Sequence, residues 1–309
     1  MQEQDSPPLG FLCPHLKGRD ESPHSKSAPR IPPCSPPSRQ LTCLMHRALF
    51  NWPHFLTYII AASCLAGISL TNSSAADLRE EQIQFAGVAF RVVRIAPEKL
   101  QVVWKDAQGQ PYRTFGRVQA AFKHQHKALK FIMNAGIFEV GGIPCGLHIE
   151  TGKEAHPINL ADAPGNFFLK PNGVLWIEAT SAASEARIAS SPDFVKRQQG
   201  VGFLSSRWIQ TAVQSGPLLL IDGKRHPAFT EGSQNRLHRN GVGVDGKGQL
   251  VFAITAKDQT VNFWDFAGLF LSLGCRNALF LDGDISQMAV NPSRPVESNQ
   301  FGAMFVVAE

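Results

Sequence analysis

The stretch "NALFLDGDISQM", Asn277 to Met288, runs an apolar segment straight into an acidic knot, Asp282-Gly283-Asp284, with Ser286 just beyond. Ala278 to Leu281 has the short, continuous hydrophobicity of a strand buried on both faces. Asp-Gly is a common turn pair, so a plain turn explains the strand's end. It does not explain a second carboxylate and a hydroxyl within the next three residues. The rest of the chain has to choose between a turn and a site.

Working outward, strand signals dominate. "QIQFAGVAFRVVRIA" and "LQVVWKD" are apolar or alternating runs separated by Pro97-Glu98-Lys99, and Ala107 to Gln110 reads as a hairpin turn. "LKFIMNAGIF" is a short buried strand running into a polar tip. "GNFFLKPNGVLWIEA" predicts a hairpin on Pro171-Asn172-Gly173, and "NGVGVDGKGQLVFAIT" another on Asp245-Gly246. "TAVQSGPLLLIDGKRH" holds two runs joined at Ser215-Gly216-Pro217 and closed by Asp222-Gly223; "AMFVVAE" supplies the last strand. Helical spacing occurs in "FGRVQAAFKHQHKAL" and in "VNFWDFAGLFLSLG", which Asn262 caps and Gly274 ends. The second helix is apolar on more than one face and therefore deeply buried. Few helices and many hairpins predict an α+β fold: mixed or antiparallel β-sheets with a few packed helices, in a single domain.

The N-terminal part reads differently. Residues 1–44 carry nine prolines and almost no apolar periodicity, which predicts a disordered extension. Met45-His46-Arg47 then forms a basic head, Phe55 to Leu70 an apolar run, and Ser74-Ala75-Ala76 a small-residue cleavage site. That pattern predicts a signal peptide over 45–76, and the expectation that goes with it is Met45 as the true start and 1–44 as a gene-model extension. The run is shorter than the roughly 20 residues of a membrane span. The expectation is a periplasmic or secreted domain, 77–309, with no stable span after cleavage.

Composition excludes some partners. With 30 Lys/Arg against 25 Asp/Glu and no dense basic run interleaved with aromatics, nucleic acid is not an expected ligand. Of six cysteines only Cys145 and Cys275 lie beyond the cleavage site, and no CxxC or HExxH occurs. His148, His156, His226 and His238 follow no zinc spacing, so neither a metal nor another cofactor is expected. Protein partners leave no mark in the sequence.

Four strand ends carry residues that a core does not need: Asn134-Ala135-Gly136, Gln214-Ser215-Gly216-Pro217, Arg239-Asn240-Gly241 and Asp282-Gly283-Asp284-Ile285-Ser286. A glycine beside each polar residue suits a sharp turn or close approach to a ligand. Together they predict side chains gathered at one sheet edge. In this order, "NAGIF", "GNFFLKPNGV", "QSGPLLLIDGK", "RNGVGVDGKGQLVFAIT" and "CRNALFLDGDIS" resemble the phosphodiester glycosidase domain family over roughly residues 85–307. The resemblance implies a sheet-based domain whose motif ends converge on a pocket for a phosphate-linked glycan or sugar-phosphodiester. It carries over Asn134 and Gly136, then Ser215, Gly216 and Pro217, then Arg239 and Gly243, then Asp282, Gly283 and Ser286. Two positions depart from the family's pattern: Asp284 stands where members usually have Ser or Gly, and His148 where bacterial relatives often have Tyr.

The chemistry suits those residue types. A glycosidase normally protonates its leaving sugar oxygen with a second carboxyl group. A phosphate monoester, with a second pKa near ~6, leaves as an anion. A guanidinium, which holds phosphate bidentately and stays charged, can then replace the acid. The expected catalytic set is Arg239 for the phosphate and Asp282 for the anomeric carbon, with Asn134 and Ser286 holding the carboxylate or sugar hydroxyls. Gly136, Ser215, Gly216, Asn240, Gly283 and Asp284 are expected to bind substrate. Two alternatives stay open: a metal-dependent phosphodiesterase built on Asp282-x-Asp284, and a non-catalytic phosphoglycan-binding domain. Expressed from the full reading frame in a secreting host, the protein should yield Asp77 as its N-terminal residue; a mature chain that retains residues 1–44 overturns that expectation.

Overall fold

The segment Cys275–Asp282 is a strand near the middle of a seven-stranded sheet. The computed structural model describes residues 78–200 and 208–309, so the expected extension and signal peptide lie outside the described residues. Across the sheet the strands run Glu80–Phe85, Val88–Ile95, Leu250–Thr255, Asn240–Asp245, Cys275–Asp282, Leu218–Ile221, Lys224–Arg225. Every strand pairing described is antiparallel.

Period-two alternation divides this strand between two cores. Leu279 and Leu281 join Phe131, Met133, Val213, Val242, Phe252 and Phe305 in the core between the sheets. Ala278 and Phe280 face the other way, onto a helix. The inter-sheet core is completed by a four-stranded sheet, which includes Leu129–Asn134 and Met304–Ala308, and a five-stranded sheet centred on Gly173–Ala179 and Trp208–Ser215. Among the described residues three α-helices cover the outer faces: α1 (Phe115–His124) packs on the four-stranded sheet, α2 (Ser191–Gly200) on the five-stranded sheet, and α3 (Phe263–Ser272) on the seven-stranded sheet. Among the described residues no helix is long and apolar enough to cross a membrane.

The helix signals correspond to α1 and α3. The Asn262 side chain accepts from the Asp265 amide at 2.8 Å and donates to its carboxylate at 2.9 Å. α2 has no counterpart in the hydrophobic pattern, because it buries little beyond Ser191 and Phe194. The Asp245-Gly246 hairpin is present, pairing 240–245 with 250–255. The turn at Ala107 to Gln110 is present too, closed by the antiparallel bridge of Lys105 with Pro111 and by the Tyr112 amide donating to the Trp104 carbonyl. One other hairpin reading needs correction. Residues 166–168 form a 3-10 turn rather than a strand before Pro171, since Phe167 and Phe168 are buried in the α3-side core.

Glycines let α3 lie close to the sheet. A Cβ on Gly243 would sit 2.7 Å from the Cys275 sulfur and 2.9 Å from the Phe270 ring; one on Gly241 would sit 3.2 Å from Phe266. Gly243→Ala should therefore cost about 1–3 kcal/mol through overpacking, read as a lower denaturant midpoint. An unchanged midpoint would mean that the helix yields freely.

Candidate active site

Asp282 is the last residue of its strand and lies two positions after Phe280, so both project on the α3 side of the sheet. Both line a cavity of about 270 Å³, together with Gly283, Asp284 and Ile285 from the loop that follows. The opposite wall is Ile137 to Gly141, with Arg113, Asn166 and Leu237 completing the lining. The cavity is thus bounded by one strand end and by segments from four other parts of the chain.

Beneath it runs a network that fixes the strand end. The Asn240 side-chain oxygen accepts from the Asp282 amide at 2.8 Å, and its Nδ2 donates to the carbonyl (3.2 Å) and Oδ1 (3.1 Å) of Asn134. Asn134 Oδ1 also accepts from the Gln287 amide at 2.9 Å. Both asparagines are buried. They tie the seven-stranded sheet to the four-stranded sheet at the place where the acidic loop begins. His238 steadies the far side of that loop. Its amide donates to Asp284 Oδ1 at 3.2 Å, and its Nε2 lies 3.1 Å from the Ser286 carbonyl. A carbonyl only accepts, so Nε2 carries the proton and Nδ1 accepts from the Thr255 hydroxyl.

Electrostatics follow from this packing. The Asp282 carboxyl is half-buried, because it lines a cavity, yet protein closes around it. Desolvation pushes its pKa up from 3.8 to about 6; the Gly283 amide, donating at 2.8 Å, opposes the shift, and the Asp284 charge adds to it. Arg239 is shifted the opposite way, to about 10, by desolvation, with Asp284 partly compensating. It stays protonated at neutral pH.

The predicted site residues separate into two groups. Asp282, Gly283 and Asp284 line the cavity, and Asn240 and Asn134 stand directly beneath them. Ser286 is close in sequence but buried, its amide bonded to the Gly283 carbonyl and its Oγ without a partner among the described residues. Arg239 lies behind the cavity wall rather than on it. It is 0% exposed, stacked 3.7 Å over the Phe263 ring, and bonded to the carbonyls of Val261 (2.9 Å) and Asn235 (3.3 Å). Ser215 is spent on the framework: its hydroxyl donates to Leu281 O at 3.1 Å and accepts from the Ile137 amide. Gly136 and Gly216 are close-approach positions, where a Cβ would sit 2.7 Å from Gln214 O and 2.6 Å from the Asn172 Cβ. The Gly283 amide is turned to the Asp282 carboxylate, so it is not presented to a ligand.

Sequence reasoning missed the opposite wall. Arg113, Phe138, Glu139, Val140 and Leu237 belong to none of the polar strand ends, and Gly141-Gly142 is the one signal that marked a turn there. Among the described residues no group of three His, Cys, Asp or Glu is spaced to hold a metal ion.

Residues 127–307 match the phosphodiester glycosidase family, which is more than half of the chain. The chain belongs to that family. It is 33% identical over 192 residues to the uncharacterized protein YigE of Escherichia coli (strain K12), covering 62% of this chain and 69% of that one. Its fold resembles the zebrafish N-acetylglucosamine-1-phosphodiester alpha-N-acetylglucosaminidase catalytic domain auto-inhibited by pro-peptide, at a TM-score of 0.51 and 15% identity. That alignment covers 75% of this chain and 82% of the other. The family's chemistry is hydrolysis of sugars linked through a phosphodiester. The matched span contains Asp282 and the asparagine network; Arg113 stands outside it.

The raised pKa of Asp282 has a sign that stability measurements can read. Between pH 4 and about pH 6 the folded state keeps a proton that the unfolded chain has released. Stability contributed at this site therefore falls as pH rises through that window and stays lower above it. Asp282→Asn should flatten this slope, matching the wild type near pH 4 and equalling or exceeding its melting temperature at pH 7. A variant less stable at pH 7 than at pH 4, relative to wild type, contradicts the desolvated carboxyl.

Proposed function

We propose that this protein hydrolyses a sugar-1-phosphodiester, with Asp282 serving the anomeric carbon. The observation that carries this reading is a desolvated carboxyl on a cavity whose lining also holds a single Lys or Arg side chain, that of Arg113. Ionised above pH about 6, Asp282 stands to stabilise positive charge on C1 as the C1–O bond breaks, or to add to it. The bonding electrons leave with the phosphate oxygen. Water then supplies the new hydroxyl at C1 and gives up its proton. Because the departing phosphate monoester is already a good anion, no second carboxyl has to protonate it.

Two arginines share the cationic work in this reading. Arg113 lines the cavity and is placed to meet the phosphate oxygens. Arg239, held behind Phe280 and Phe263, positions the floor and supplies a fixed positive field near Asp284. Asn134 and Asn240 hold the Asp282 backbone in register, and Ser286 Oγ and Asn134 Nδ2, both unpartnered among the described residues, are reserves for sugar hydroxyls. Asp284 and Glu139 add negative charge at the mouth, which favours a diester carrying one charge over a dianionic monoester and so assists product release. The leader over residues 45–76 supports the further proposal that the enzyme works outside the cytoplasm.

The test is release of free sugar from an alkyl diester of N-acetylglucosamine-1-phosphate by the purified chain. Turnover should rise with pH through an apparent pKa of about 6. Asp282→Asn should lower kcat by roughly 10²–10⁴. Arg113→Gln should lower kcat/KM by roughly 10–100-fold, as expected for loss of a charge-assisted contact of about 1.5–3 kcal/mol. Release of an intact sugar phosphate in place of free sugar would assign the cleavage to the other ester bond and sink the proposal.

A further inference from the structure

The Ile137–Gly141 side of the cavity is apolar apart from Glu139, and it extends beyond the cavity. Ile137, Phe138 and Val140 line it, and Leu237, Phe280 and Ile285 close the sides. Val140 is 74% exposed, and Ile143, beside it on the same two-stranded hairpin, is 40% exposed. These are two of the four exposed large hydrophobics among the described residues; Val140 lines the candidate site and Ile143 lies across the hairpin tip from it. Nothing in the fold requires them there, since the hairpin tip packs on no core.

The tip is held in place. Gly141 and Gly142 take φ of +85° and +77°, which other residues rarely adopt. The Trp104 Nε1 donates to the Gly142 carbonyl at 2.8 Å. The Arg113 guanidinium packs over the Phe138 ring at 5.6 Å and against the Gly142 backbone, where a Cβ would collide with its Nη1. Its Nη2 donates to Gln300 Oε1 at 3.0 Å, and Nη1 has no hydrogen-bond partner among the described residues. One residue thus supplies the cavity's cation and also fixes the hairpin that carries the apolar tip.

This arrangement orders a substrate. With C1 at Asp282 and phosphate at Arg113, the second ester arm is directed along the hairpin toward Val140 and Ile143. We propose that this arm is an aliphatic alcohol, so that the preferred substrate is a sugar-1-phosphate esterified to an alkyl or isoprenoid chain rather than to a second sugar. The proposal rests on the phosphodiester reading for its orientation, but the apolar subsite can be measured without it.

The probes are octyl phosphate and methyl phosphate, which differ in the chain alone, titrated calorimetrically into the purified chain. Octyl phosphate should bind tighter by roughly tenfold, the equivalent of about two buried methylenes. The double variant Val140→Ser/Ile143→Ser should erase the difference between the two phosphates. In turnover, the octyl diester of N-acetylglucosamine-1-phosphate should show a lower KM than the methyl diester, and the double variant should equalise the two. Equal binding of the two phosphates by the wild type overturns the proposal, as does a chain-length preference that survives the double variant. If octyl phosphate is preferred and neither diester yields sugar, the hydrolase reading fails and the apolar subsite stands.

Discussion

Burial of the strand Cys275–Asp282 on both faces is the constraint from which the rest follows. Leu279 and Leu281 are committed to the inter-sheet core, and Ala278 and Phe280 to the α3 side. A one-residue slip would exchange the two sets and drive Asp282 into the inter-sheet core. Fixed register is therefore what delivers a carboxylate to a cavity. The bulges on either side of the pairing with Asn240–Asp245 end that register at Asp282 and let the chain turn away into the acidic loop.

Most polar groups at this strand end are bound by structure before they meet a ligand. Asn240 bonds Asn134 and the Asp282 amide, and Asn134 Oδ1 accepts from the Gln287 amide, so the two sheets cannot separate there without breaking buried hydrogen bonds. Asn134 Nδ2 and Ser286 Oγ have no partner among the described residues. The charges are arranged to oppose each other. Burial raises the pKa of Asp282 and lowers that of Arg239, while Asp284, more exposed, adds to the first shift and counters the second. The carboxylate is thereby poised to titrate near neutrality, and the guanidinium remains charged.

Much of the fold was legible because it depends on local pattern. The hairpin 240–255, the buried strand before Asp282, α1, and α3 with its Asn262 cap follow from periodicity and turn chemistry. The misread hairpin before Pro171 shows the limit. Phe167 and Phe168 have strand-like hydrophobicity, but the α3-side core consumes them through a 3-10 turn. α2 was invisible for the reverse reason: its one large anchor, Phe194, creates little periodic signal. Of the candidate site, the motif residues located one wall and its foundations. Arg239 and Ser215 looked like ligand contacts because both are polar residues near glycine; Ser215 is spent on Leu281 and Ile137, while Arg239 bonds Val261 and Asn235 and keeps Nη1 unpartnered among the described residues.

The amino-acid sequence by itself determined the strand ends, the two principal helices and the family motifs, since each is written in contiguous residues whose propensities and spacing act locally. Tertiary structure alone decided which polar groups reach the cavity, because that depends on what lies behind each side chain. It placed Arg113 opposite Asp282 across more than 160 residues of chain and Arg239 behind a phenylalanine. No local pattern encodes that pairing, for the two side chains meet one space only when separate sheets and a hairpin have closed around it.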